Sequence, residues 1–96
     1  MDWYNKMKRI IKLPEPLYNY LCEALSYSKE ILDNIKINTT IEDNIATMVI
    51  DIDTKIDLME YVEDLQLEIG FENQDYLNDD GRKLQSIYDE IHRQTN

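Results

Sequence analysis

Between Ala46 and Ile69 the apolar side chains change period, and no single backbone conformation satisfies both halves. Ala46, Met48, Ile50 and Ile52 fall on alternate positions. A strand sends successive side chains to opposite faces, so this set shares one face while Thr47, Val49, Asp51 and Asp53 take the other. From Leu58 the pattern lengthens: Leu58, Val62, Leu65 and Ile69 are spaced four, three and four apart, which stacks them on one helical face. A strand must therefore hand over almost directly to a helix. Thr54 stands three residues before Asp57, a capping-box-like arrangement that predicts Thr54 as the N-cap. Gly70 offers the left-handed residue that often ends a helix, which sets a helix over 54–70.

The flanking segments add helices around this centre. Trp3, Met7, Ile10 and Ile11 against Lys6, Lys8, Arg9 and Lys12 predict a basic amphipathic helix over 1–13. Pro14 and Pro16 stop it, and Pro16 suits the first turn of the next helix, where its missing N–H leaves nothing unpaired. Leu17, Leu21, Leu25, Ile31 and Leu32 keep helical spacing and predict one long helix over 15–34, with an ending near Tyr27 as the alternative. Ile35 to Ile41 alternates weakly, so residues 35–53 read as a hairpin. Its three-residue loop would be Glu42-Asp43-Asn44, with Asn44 left-handed for want of a glycine. The alternative makes 35–41 the tail of the preceding helix. A polar loop anchored by Phe71, Tyr76 and Leu77 then leads to a last helix over 79–94. Asp79 or Asp80 is its expected cap, and Leu84, Ile87, Tyr88 and Ile91 its buried face. The expected fold is a single α+β domain, mostly helical: short helix, long helix, two-stranded antiparallel hairpin, then two C-terminal helices.

Motifs for chemistry fail when their spacing is tested. Placing Gly81 at the sixth position of a calcium loop puts Tyr76 at the first and Ile87 at the twelfth, where carboxylates are required. Asp51, Asp53 and Asp57 form a close acidic group, but the chain has one histidine, His92, and two glycines, Gly70 and Gly81. Neither a second metal-ligand cluster nor a phosphate-cradling loop can be built from these. Cys22 is the single cysteine, so the expected state is a structural thiol in a reducing cytoplasm. Neither a signal peptide nor a membrane-length apolar run is visible. The expectations are a cytoplasmic protein, not an enzyme, with no cofactor and no metal.

Charge placement is the remaining functional signal. The chain carries a formal charge of −10, yet residues 1–36 hold six bases and five acids. Between Glu42 and Asp80 stand thirteen acids and one base, Lys55. A surface this negative repels nucleic acid and anionic membranes, so neither is expected as a direct partner. Asp57, Glu60, Asp64 and Glu68 repeat along one flank of the 54–70 helix at roughly one 5.4 Å turn per step. The plain reading is a solvated helix face. The sharper one is a row of charges imitating nucleic-acid phosphates.

The leading expectation is a small acidic inhibitor or binding protein that occupies the basic surface of a nuclease or other nucleic-acid-binding enzyme. Antitoxins, nuclease immunity proteins and phage anti-defence proteins act in this way, and size and acidity resemble phage-encoded inhibitors as a class. No motif carries that resemblance, and it assigns no residue role. The expected contact residues are Asp57, Glu60, Asp64, Glu68, Glu72, Asp75, Tyr76 and Asp79. The alternatives are an adaptor or small subunit using the hairpin edge or an apolar helix face, including a homodimer through that edge, and a domain binding a small ligand or divalent cation.

Overall fold

The computed structural model describes residues 8–73 and 76–95 and shows a mostly helical α+β fold with a small antiparallel sheet. The order is β1 (Lys8–Pro14), α1 (Glu15–Ala24), a 3-10 turn (Leu25–Tyr27), α2 (Lys29–Ile37), β2 (Thr39–Glu42) and β3 (Ile45–Asp51), followed by α3 (Ile52–Ile69), β4 (Phe71–Glu72), β5 (Tyr76–Leu77) and α4 (Asp79–Thr95).

The strand-to-helix switch stands where the change of period puts it. Ala46, Met48 and Ile50 are buried on one face of β3, and Leu58 and Val62 on one face of α3. The cap differs. Asp51, the last strand residue, accepts the Thr54 backbone N–H at 2.7 Å and starts the helix at Ile52. Thr54 is instead buried, its hydroxyl accepting from the Asn34 side chain at 3.3 Å. The Thr54 backbone and hydroxyl hydrogen bonds hold the Asp51 carboxyl below the usual carboxylate range.

A hairpin with two strands would be marginal in water, and a third strand resolves the difficulty. Residues 8–13 of the expected 1–13 helix lie instead in β1, which pairs antiparallel with β3 in the order β1-β3-β2. Ile11 and Leu13 alternate into the core opposite Met48 and Ala46. The two-residue alternation is only two turns of the pattern long, and the adjacent pair Ile10-Ile11 disguises it as a helical one. Trp3, Lys6 and Met7 of the expected helix lie outside the described residues. The outer edge of β1 is closed by a side chain: Gln94 accepts the Lys12 N–H at 2.6 Å and donates to the Lys12 carbonyl at 2.8 Å.

Three further corrections concern turns. Residues 35–37 belong to α2, so β2 is short, and β2 and β3 join through two residues rather than three, Asp43 and Asn44, both at positive φ. That is the geometry whose twist matches a hairpin. The expected 15–34 helix is broken at Ser28. There Tyr61 of α3 donates its hydroxyl to the Ala24 carbonyl at 2.6 Å, and the Ser28 N–H falls back on Leu25 at 2.9 Å. In a continuous α-helix the Ser28 N–H would bond to the Ala24 carbonyl, which here accepts from a side chain distant in sequence.

Gly70 closes α3 with φ −88°, not in the left-handed region. Two absent side chains serve close packing: a Cβ on Gly70 would stand 2.9 Å from Gly81 Cα, and one on Gly81 2.0 Å from the Gly70 carbonyl oxygen. Asn78 ties the crossing together and, rather than Asp79 or Asp80, caps α4. Its amide donates to the Ile69 carbonyl at 2.7 Å, its side-chain oxygen accepts the Gly81 N–H at 2.8 Å, and its own N–H reaches the Gly70 carbonyl at 2.9 Å. Leu84, Ile87 and Ile91 then run along α4 into the core shared with β1, α1 and α3.

Candidate functional site

α3 carries the expected stripe, and the structure divides it. Asp57, Glu60, Asp64 and Glu68 are all exposed. Asp64 and Glu68 border a groove of about 630 Å³ between α3 and the α1 end of the chain, where Glu23 joins them from α1. Tyr20, Tyr27 and Tyr61 line the same groove. Asp57 borders a smaller groove of about 190 Å³ toward α2, together with Glu30. Glu60 turns the other way. It lines a third depression with Glu63, Lys55 and Tyr88, where Lys55 tempers the charge.

Thus five carboxylates, Glu23, Glu30, Asp57, Asp64 and Glu68, line the two grooves on one flank of α3, and no basic side chain among the described residues lines either. Carboxylates four residues apart on a helix, as Glu60, Asp64 and Glu68 are, repel by about 0.2–0.5 kcal/mol per pair. Ion pairs in α4 join Arg82 to Asp79 and Arg93 to Glu90; neither reaches α3. At Glu90 the Arg93 and Gln94 hydrogen bonds hold the carboxyl below its ordinary value.

The other expected contact residues are scattered. Glu72 on β4 and Tyr76 on β5 are exposed and opposite one another in register, Tyr76 at 71%. Exposure on that scale removes Tyr76 as a core anchor. Asp79 is committed to Arg82 in the first turn of α4. Asp75 lies outside the described residues.

The tyrosines of the larger groove differ in how firmly they are held. Tyr61 is fixed by its bond to Ala24, and burial pushes its hydroxyl pKa up. Tyr20 donates to Asp80 at 2.9 Å; burial first, then this bond and the nearby carboxylates, raise its pKa well above the usual phenol value. Lys83 stands over the Tyr20 ring, its Nζ 5.0 Å from the centroid. Tyr27, on the 3-10 turn, is 89% exposed. A structural tyrosine would be covered, so this ring serves no core.

Glu23, Glu30, Tyr20, Tyr27 and Tyr61 were not among the expected contact residues. A signal for most of them exists: Tyr20, Glu23 and Tyr27 are spaced three and four apart, and Asp57, Tyr61, Asp64 and Glu68 four, three and four. Each set is one helical face. Among the described residues no group of three or more His, Cys, Asp or Glu is placed to hold a metal ion. No helix among them is long and apolar enough to cross a membrane. Cys22 is half-buried against the core. Compared with protein-family models, with curated proteins and with solved structures, the chain matches none.

Proposed function

We propose that this protein is a non-catalytic acidic binding protein whose α3 flank docks on the basic surface of a nucleic-acid-binding enzyme and blocks it. One observation carries the reading. Five exposed carboxylates are gathered along one flank without a cation among the described residues lining the grooves, although Asp64 and Glu68, four residues apart on α3, repel one another. A cationic partner offsets that repulsion, and opposite surface potentials accelerate encounter and fix register. Tyr27 and Tyr61 add aromatic surface of the kind that anchors interfaces.

The test is capture of proteins from a host lysate on the immobilised protein, washed at low and at high salt. A basic nuclease or other nucleic-acid-binding enzyme that elutes with salt and loses activity when the protein is added back supports the proposal. A captured enzyme whose activity is unchanged by stoichiometric protein removes it.

A second reading rests on the edge of β2. The register turns the N–H and C=O of Thr39 and Ile41 away from β3, and Ile37 (82%) and Ile41 (48%) are exposed beside them. Such an edge suits an added strand, from an adaptor's partner or from a second copy of this chain. Association indifferent to salt and abolished by Ile41→Pro, which removes a backbone donor from that edge, would favour it over docking through α3.

A further inference from the structure

The larger groove combines two features that select more narrowly than charge does. Glu23, Asp64 and Glu68 supply negative charge, and Tyr20, Tyr27 and Tyr61 supply aromatic surface in the same 630 Å³ depression. Carboxylates by themselves would accept any cation, and a hydrated ammonium or metal ion gains little from tyrosine rings. A guanidinium gains from both. It is planar and weakly hydrated, stacks on aromatic faces, and presents paired N–H groups that match a carboxylate. The volume lies in the range of about 300–1,000 Å³ that holds whole small molecules, and so takes an arginine side chain with part of its backbone.

We propose that the groove between α1 and α3 is a receptor for an arginine side chain presented by the basic protein partner. This deepens the docking reading above and rests on it for the source of the arginine. Asp64 and Glu68 pair with the guanidinium from α3 and Glu23 from α1, while Tyr27 and Tyr61 cover its plane. Because Tyr27 is exposed and Tyr61 is pinned to Ala24, one wall is free to close over the ligand and the other is preset.

The test uses the full-length protein and short capped peptides. An acetyl-Gly-Arg-Gly-amide is titrated against the labelled protein, with amide shifts followed by NMR. Matched peptides carrying citrulline or lysine in place of arginine serve as comparisons. The expected result is saturable binding, with shifts concentrated at residues 20–27 and 61–69, weaker binding of the lysine peptide and none of the citrulline peptide. Tyr27→Ala weakens binding roughly two- to fivefold, as an exposed cation–π contact would. The pair Asp64→Asn and Glu68→Gln, which removes charge without volume, weakens it by more than about tenfold. Citrulline binding as well as arginine, or shifts spread evenly over all acidic surfaces with Tyr27→Ala unchanged, overturns the proposal. Spermidine binding this groove more tightly than the arginine peptide also overturns it, in favour of a free polyamine.

Failure here is separable from failure of the docking reading. If the peptide does not bind while a basic enzyme is still inhibited, the groove assignment falls and the docking face stands. If the peptide binds and no basic enzyme is inhibited, the source of the arginine is wrong and the docking reading falls.

Discussion

Gly81→Ala sets two well-known effects against each other. Alanine in place of glycine within a helix gains about 1 kcal/mol from backbone propensity. The structure opposes this, because the new Cβ would stand 2.0 Å from the Gly70 carbonyl oxygen and 3.0 Å from Leu77 Cδ2. Ordinary van der Waals separation is about 3.5–4.0 Å, so the two backbones must part by roughly 1.5 Å. The obstructing atom is backbone, and it is held by the Asn78 N–H at 2.9 Å. Overpacking of this kind costs about 1–3 kcal/mol. The movement also strains the Gly81 N–H bond to Asn78 and the Gln66 bond to the Gly81 carbonyl, each worth about 1 kcal/mol. A total near 3 kcal/mol against a gain near 1 leaves a net loss of about 2 kcal/mol, or a fall in Tm of roughly 8–16 °C for a domain of this size. Thermal unfolding followed by far-UV circular dichroism measures it. Ser86→Ala, on the exposed face of the same helix, is the control and should be neutral to slightly stabilising. A Gly81→Ala protein with an unchanged or higher Tm would refute the close-crossing argument.

Tyr61→Phe, which keeps the ring and removes the donor to Ala24, should lower stability by about 1 kcal/mol in urea unfolding and leave the fold unchanged. Asp51→Ala should cost about 1 kcal/mol through loss of the α3 cap. Since folding lowers the Asp51 pKa, the cap's contribution is complete above the unfolded carboxyl range, near pH 4, and disappears as pH falls through the lower folded value. The wild type should therefore lose more stability than Asp51→Ala on acidification below that range. Tyr18, Tyr20 and Tyr61 are shifted the other way, upward, by burial. Their neutral forms favour the folded state, a contribution complete below about pH 10 and lost as the pH rises above it. Alkaline titration should show tyrosinate absorbance from Tyr18, Tyr20 and Tyr61 appearing together with unfolding.

What could be read from the chain follows from how many residues carry each signal. The β3 to α3 switch rests on a run of one-sided apolar positions, of which Ala46, Met48, Ile50, Leu58 and Val62 are buried, Ile52 and Leu65 are half-buried, and Ile69, at the end of the helix, is exposed. The face of α4 is legible for the same reason. β1 rests on Ile11 and Leu13, too short a run to separate from a helix. The break at Ser28 carries no local signal: beside it the Ala24 carbonyl accepts from the Tyr61 hydroxyl, a group of α3. Helix caps were misplaced by one to three residues, since Asp51, Thr54, Asn78 and Asp79 are all competent capping residues and only the backbone path selects among them. The acidic stripe was legible as a helical face, but whether a carboxylate borders a groove depends on the neighbouring helix. Glu60 therefore left the larger set, and Glu23 and Glu30 entered from α1 and α2.

The central claim is that the α3 flank is a docking face and not only a solvated one. Reversing Asp57, Asp64 and Glu68 to lysine tests it most directly, with binding to and inhibition of the captured basic enzyme as the readout. These positions are exposed, so the substitutions bury no charge and the variant should unfold close to the wild-type temperature. A docking role for the flank predicts loss of both binding and inhibition from a protein that is still folded. Undiminished inhibition by the folded, reversed variant would contradict it.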